Sequence, residues 1–188
     1  KELSSKEGQN HSYICADFDN TSLIKKEMVS FVNSLEKPIN ILINNSGGPG
    51  GGPLIEADEQ EFRIAFERLL IANHIIIKSI VPSMKTLKFG RIINIISTSV
   101  NQVIPGLGVS NTIRGSVAQW AKTLAMELGE FGITVNNILP GYTDTNRLQS
   151  IGIAKARKLG ITIENMREIW KENIALKRIG KPQEIASV

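Results

Sequence analysis

Apolar residues along this chain switch repeatedly between two spacings. In residues 21–35 they fall at Leu23, Ile24, Met28, Phe31, Val32 and Leu35, the spacing of one helix face, with Asn20 or Thr21 placed to cap it. Pro38 breaks that pattern, and residues 39–43 (INILI) form a short continuous apolar run, as a buried parallel strand would. Residues 12–16 (SYICA) predict a short strand ending at Asp17, and residues 44–53 (NNSGGPGGGP) a flexible glycine-rich loop. Residues 58–85 predict one long helix or two abutting ones, with Phe62, Phe66, Leu69, Leu70, Ile76, Ile80 and Met84 on its apolar face. Residues 91–96 predict another buried strand, 110–128 a helix ended by Gly132, and 134–139 a strand that stops at Pro140-Gly141. The remainder carries helical patches and a cap-like stop at Gly180-Lys181-Pro182.

Strands alternating with helices imply a parallel sheet wound on both faces, with ligands held beyond the carboxyl ends of the strands. Asp17, the segment 44–48, Ser97 and the segment 140–145 all fall at such ends, and their convergence argues for one site. At 188 residues the chain suits a single domain with a real core.

Composition narrows the picture. With 41% hydrophobic and 21% charged residues the chain is an ordinary globular sequence, and no apolar run approaches a membrane span. The net charge of +4 comes from scattered Lys and Arg, and at 5% aromatic the chain has no basic stripe with interleaved aromatics, which argues against a nucleic-acid partner. The single cysteine, Cys15, excludes an internal disulfide, fits a reducing, cytoplasmic setting, and in a strand-like run reads as a small buried hydrophobe.

The segment 90–128 reads GRIINIISTSVNQVIPGLGVSNTIRGSVAQWAKTLAMEL. It resembles the catalytic segment of the short-chain dehydrogenase/reductase family, especially its members similar to 3-oxoacyl-carrier-protein reductases. The resemblance extends to Asn44-Asn45-Ser46-Gly47, to Pro140-Gly141-Tyr142-Thr143-Asp144-Thr145, and to residues 176–185 (LKRIGKPQEI). It implies a Rossmann-type doubly wound fold of three layers, α/β/α, over residues 1–188. Residues 147–175 are then the substrate-covering helices, and the first βαβ unit and last strand are expected to be missing from the chain. The family's opening strand, glycine-rich turn and helix have no counterpart before Asp17, so the expectation is an incomplete chain.

What the resemblance implies for function is NAD or NADP as cofactor and a small-molecule carbonyl or acyl substrate. Ser97 is implied to hold the substrate carbonyl. Asp17, Asn45, Ser46, Gly47, Pro140, Gly141, Thr143 and Thr145 are implied to contact the cofactor. Residue by residue, Asp17 equally reads as an Asx-turn, Ser97 as a turn serine and Pro140-Gly141 as a plain turn. The departures lie at the proton donor. Where the family has Tyr and then Lys, this chain has Ser110 and Arg114. Serine is a far weaker acid than tyrosine. Arg keeps the charge that binds ribose or phosphate but cannot relay a proton. A fourth family position, an Asn, falls on Leu69; Asn73, one turn on, reads either as its substitute or, like His74, as an ordinary helix residue. Of the four positions Ser97 alone keeps its type.

Three functions therefore remain open. One is an NAD(P)-dependent oxidoreductase acting on a carbonyl or alcohol, such as a 3-oxoacyl thioester. A second is a catalytically degenerate member that binds a nucleotide or acyl ligand or regulates a partner subunit. The third is a structural oligomer partner. Helices near 59–85 and 110–128 match those that pair in the family's oligomers, and their apolar residues spread beyond one face, so a homodimer or homotetramer is expected.

Overall fold

The computed structural model describes Gln9 and residues 11–188. The first helix, α1 (Thr21–Ser34), begins where Asn20 accepts the Leu23 backbone N–H at 3.0 Å, so a side chain supplies a partner that the first helical turn lacks. Strand β1 (Ile41–Asn44) follows, then α2 (Glu59–Phe66), opened by an Asp58–Glu61 capping box. A π-helical turn, Glu67–Ile71, joins α2 to α3 (Ala72–Leu87), so of the two forms expected for residues 58–85 the pair of abutting helices is the one found, with a widened turn between them. Then come β2 (Gly90–Ile95), α4 (Gly108–Leu128) and β3 (Ile133–Ile138). The chain closes with α5 (Asn146–Leu159), α6 (Ile163–Glu172) and α7 (Pro182–Ala186).

The three strands form one parallel sheet in the order β1-β2-β3. Apolar side chains on one face of β2 and β3, Ile92, Ile133 and Val135, meet Ile77, Ile80 and Met84 of α3, Ala121 and Leu128 of α4, and Ile24 and Met28 of α1 in the main core. On the other face Ile41, Ile43, Thr134 and Asn136 are exposed, so among the described residues the helices that pack on the sheet lie on one side of it. A second core joins α4 to α2 and the π turn through Ala65, Leu69, Val109, Ile113 and Val117. A third lies between α5 and α6, where Leu148, Ala156, Met166 and Trp170 pack with Ile179.

Polar residues set the register. Asn44, Asn94 and Asn137 stand side by side across the three strands. Asn44 Nδ2 donates to Asn94 Oδ1 at 2.8 Å, and Asn94 Nδ2 donates to Asn137 Oδ1 at 3.0 Å. Asn94 is 1% exposed, so each of these groups would cost free energy if left unpaired. At the other end of the sheet Gly132 enters β3 with φ 72°, and a Cβ there would lie 2.4 Å from the Lys88 carbonyl oxygen; only glycine fits.

Several expectations are corrected. Residues 12–16 form no strand, and Cys15 is exposed, because this segment pairs with no described strand that would cover it. The run 39–43 is an edge strand starting at Ile41 and not a buried one; Ile41 and Ile43 are 56% and 61% exposed. The glycine-rich loop is tied down: Gly52 N–H donates to Gly106 O at 2.9 Å, Gly108 N–H donates to Gly52 O at 3.1 Å, and Pro49 is buried. Gly180-Lys181-Pro182 starts a helix and does not stop one, since Pro182 takes the first position of α7, where a missing N–H costs nothing.

Replacing Asn94 with Ala removes both ladder bonds and strands two amide groups at the sheet centre, an expected loss of about 2–4 kcal/mol. Urea denaturation would read it, and a change below about 0.5 kcal/mol, the size of an ordinary surface substitution, would show that the ladder does not hold the strands.

Candidate active site

Because the ladder sets the three strands in register, their carboxyl ends open at one edge of the sheet. The segments that leave this edge line a cleft of about 920 Å³. Asn45, Ser46, Gly47 and Gly48 come from the loop after β1, and Ser97 and Thr98 from the end of β2. Pro140, Gly141, Thr143 and Thr145 come from the loop after β3, and Ser110 and Arg114 from α4. Leu148, Ile151 and Lys155 of α5, Trp170 of α6 and Ile185 of α7 close it from the far side. All but one of the residues singled out from the sequence thus meet in one place. The exception is Asp17, which does not line the cleft; its carboxylate accepts the Asp19 N–H at 3.0 Å in an Asx-turn, the plainer of its two readings.

The loop after β3 is held from outside the cleft. Gly180 N–H donates to Tyr142 O at 2.9 Å and Asp144 N–H to Gly180 O at 2.8 Å, a short parallel bridge. Thr145 then caps α5, its hydroxyl accepting the Leu148 N–H at 3.3 Å. Downstream, Arg178 grips Glu184 of α7 with Nη1–Oε2 at 2.8 Å and Nη2–Oε1 at 2.5 Å, and Glu184 Oε2 also accepts the Lys181 N–H at 2.7 Å.

Ser97 leaves β2 with its Oγ accepting the Ser99 N–H at 3.0 Å, so its own hydroxyl proton stays available to a ligand. Ser110 is 6% exposed and lines the cleft, and its hydroxyl makes no hydrogen bond to a described residue. Arg114 lies one helical turn further along the same face of α4. Its Nη1 donates to Ile96 O at 2.8 Å, the carbonyl just before Ser97. Burial, and behind it the positive charge of Arg147, hold the Arg114 guanidinium below its usual value.

Three residues in or beside the cleft were not singled out for it. Arg147, at the second position of α5, donates to Pro49 O and faces Arg114 across Gly48. Lys155 donates to Pro105 O at 3.1 Å, and burial lowers its ammonium below the ordinary lysine value. Asn73 is 5% exposed and donates to Leu69 O at 2.8 Å, across the π turn. Its Oδ1 has no partner among the described residues, and Asn73 lines a small cavity of about 10 Å³ together with Asn44, Ser46 and Arg114. Only Asn73, a polar residue on an otherwise apolar helix face, left a sequence signal. Tyr142 also lines the cleft, stacked on Trp170 with ring centroids 5.3 Å apart. Burial raises its phenol, the wrong direction for a proton donor near neutral pH.

The chain belongs to the short-chain dehydrogenase/reductase family: the family model described as enoyl-(acyl carrier protein) reductase matches residues 1–188. Nodulation protein G of Azospirillum brasilense is 30% identical over 162 residues, 85% of this chain and 61% of that protein. The 3-oxoacyl-acyl-carrier-protein reductase FabG of Chlamydia trachomatis is 24% identical over 184 residues, 98% of this chain and 69% of that protein. Among solved structures, an actinorhodin polyketide ketoreductase with NADPH superposes with a TM-score of 0.82 at 25% identity, covering 91% of this chain and 66% of that one. The chain spans little more than half to about two thirds of the length of the curated relatives it matches. Among the described residues no helix is long and apolar enough to cross a membrane, and no group of three or more His, Cys, Asp and Glu could hold a metal ion.

The Arg178–Glu184 grip sets a pH response at the rim. The Glu184 carboxyl is lowered from 4.5 to about 2, first by the Arg178 hydrogen bond and then by the Lys181 N–H. A depressed carboxyl contributes stability above its unfolded value, and that contribution is lost as pH falls toward the folded one. The anchoring of α7 is therefore expected to weaken between pH 4.5 and about 2 and to be unchanged at neutral pH. An NMR titration of the Glu184 carboxyl should show a midpoint near 2 that moves back toward 4.5 in Arg178→Gln. A wild-type midpoint already at 4.5 would count against the grip.

Proposed function

We propose that this protein is an NAD(P)-dependent oxidoreductase acting on a carbonyl or alcohol, with a 3-oxoacyl thioester among its candidate substrates. The observation that carries this reading is the convergence of the two loops after β1 and β3 with Ser97 on one cleft. The names of FabG and of the NADPH-bound ketoreductase among its relatives support it.

The donor set fits a dinucleotide. The cleft presents glycine backbone at Gly47 and Gly141 and a hydroxyl at Ser46, and among the described residues no aspartate or glutamate lines it to repel phosphates; the Thr143 and Thr145 hydroxyls beside them donate to Gly141 O at 3.3 Å and to Thr143 O at 3.4 Å. Asn45, Ser46, Gly47, Pro140, Gly141, Thr143 and Thr145 would hold the cofactor, which when bound supplies the hydride. Ser97 donates its free hydroxyl proton to the substrate oxygen and so fixes its position beside the strand end. Ser110, or a water against it, supplies the proton that carbonyl reduction needs. Leu148, Ile151 and Trp170 exclude bulk water from the far side, the covering role proposed for residues 147–175. The exposed apolar residues Ile64 and Phe66 of α2 and Met126 of α4 support pairing with a second copy through these helices; sedimentation of a monomer at micromolar concentration would refute that pairing.

Calorimetric titration of the full-length protein with NADH and NADPH tests the cofactor and tells the two apart. Micromolar binding is expected for one of them, and absence of binding to both would favour the degenerate, non-catalytic reading. In a carbonyl reduction assay Ser97→Ala is expected to lower kcat by about 10²-fold or more while the fold persists, the scale of one lost oxyanion donor. Unchanged turnover would remove Ser97 from the chemistry.

A further inference from the structure

Two guanidinium groups share the cleft without a counter-ion. A Cβ placed on Gly48 would lie 3.1 Å from Arg114 Nη2 and 4.0 Å from Arg147 Nη2, so both groups converge on the space that this glycine leaves open. Neither forms a salt bridge among the described residues; the four carboxylate pairs of the structure use Arg68, Arg167, Lys171 and Arg178. The two charges repel: Arg147 is one of the two causes that hold Arg114 below its usual value.

Placement makes the arrangement less favourable still. Arg147 sits in the first turn of the 14-residue α5, which has no acidic residue there, so a cation stands at the positive end of the helix dipole. The Gly47 and Gly48 N–H groups, which make no hydrogen bond to a described residue, turn up at the same loop. One terminal nitrogen of each donor is tethered to backbone, Arg114 Nη1 to Ile96 O and, at 3.5 Å, to Ile95 O, and Arg147 Nη2 to Pro49 O, which leaves the remaining N–H groups for something else. Like charges held together in a partly desolvated cleft, with unspent donors and no acid nearby, form a site for an oxyanion.

We propose that Arg114 and Arg147, with the backbone at Gly48, bind a carboxylate or phosphate carried by the substrate, so that the substrate is an oxo acid or an oxo phosphate and not a neutral carbonyl compound. This rests on the oxidoreductase reading for the word substrate, though the oxyanion site itself does not. Location decides between substrate and cofactor. Ser110 lies four residues before Arg114, about 6 Å along α4, and the Ile96 carbonyl that tethers Arg114 immediately precedes Ser97. The oxyanion therefore sits beside the two hydroxyls that face the reacting carbonyl, as a carboxylate near an oxo group would. Arg147 belongs to the helix that also turns Leu148 and Ile151 into the cleft. Arg114 is thereby reassigned from the cofactor ribose, which the family resemblance implied, to the substrate.

The test is calorimetric titration of the full-length protein with pyruvate, methyl pyruvate and dihydroxyacetone phosphate, each with and without NADPH, followed by assay of NADPH oxidation. Wild-type protein is expected to bind pyruvate or the phosphate at least about tenfold more tightly than the neutral ester, and the preferred anion tells carboxylate from phosphate. Arg147→Gln should lose about tenfold in affinity for that anion and Arg147→Lys should recover part of it. Should Arg147→Gln fail to fold, Gly48→Ala serves instead, since its methyl pushes on Arg114 Nη2. Equal binding of acid and ester, no binding of either anion, or an unchanged affinity in Arg147→Gln overturns the proposal. A loss of NADPH affinity in Arg147→Gln with anion affinity intact also overturns it, by placing the pair on the cofactor's phosphates. Charge-dependent binding without any NADPH oxidation sinks the reductase reading and leaves the oxyanion site standing.

Discussion

The cleft depends on a row of three asparagines. Asn44, Asn94 and Asn137 are amides placed where a parallel sheet ordinarily has aliphatic side chains, and each of the two hydrogen bonds between them uses a donor of one strand and an acceptor of the next. A slip of one strand by a residue would bury unpaired amides and turn the Ile92, Ile133 and Val135 face away from α3 and α4, so polar satisfaction and apolar burial select the same register. With that register set, the strands end level, and the segments leaving them reach a common edge. Asn44 and Asn94 also line the small cavity beside Arg114, so the element that aligns the sheet borders the site directly.

Around that edge the charge is one-sided. Arg114, Arg147 and Lys155 line the cleft, and among the described residues no aspartate or glutamate does. Each cation is tethered by a backbone carbonyl, at Ile96, Pro49 and Pro105 respectively. A carbonyl orients a cation and supplies a partial charge, but it does not neutralise it, and two unit charges in a partly dry cleft interact far more strongly than in bulk water. The field is thus positive before any ligand enters. Among the described residues four ion pairs form, Asp19 with Arg68 (Nε–Oδ1 at 2.6 Å) and Glu184 with Arg178 among them, and none of the three cleft cations joins one.

Much of this was legible in the sequence where local periodicity and tertiary burial agree. The helix faces of α1 and α4 and the strands β2 and β3 follow from apolar spacing, because one core serves them all. Gly180-Lys181-Pro182 misled because Gly and Pro end helices and also begin them, and only the Glu184 side chain reaching back to the Lys181 N–H decides which. The run 39–43 looked buried on both sides, yet β1 stands at the edge of the described sheet, and hydrophobicity alone does not report what lies beyond it. The site was legible at strand ends, where chemistry clusters in this architecture, so Ser97 and the loops after β1 and β3 were found. Arg147 was not, since its meeting with Arg114 joins positions far apart in the chain through the fold of the loop at Gly48.

The two replaced family positions gain sense together. Exchanging Tyr and Lys for Ser110 and Arg114 removes a phenol and a relay amine, and it also opens volume and adds a planar, permanently charged group at the same face of α4. A serine hydroxyl facing the cleft leaves room beside Ser97 that a phenol would occupy, and Arg114 fills the space toward Gly48 with N–H donors. On the proposed reading, a site built this way gives up acidity at its proton donor and gains grip on an anion. For an oxo acid that exchange is coherent: the guanidiniums beside its carboxylate also withdraw charge from the neighbouring carbonyl, easing attack there and lowering the demand on the acid that follows. Both substitutions then belong to a single change in what the cleft holds.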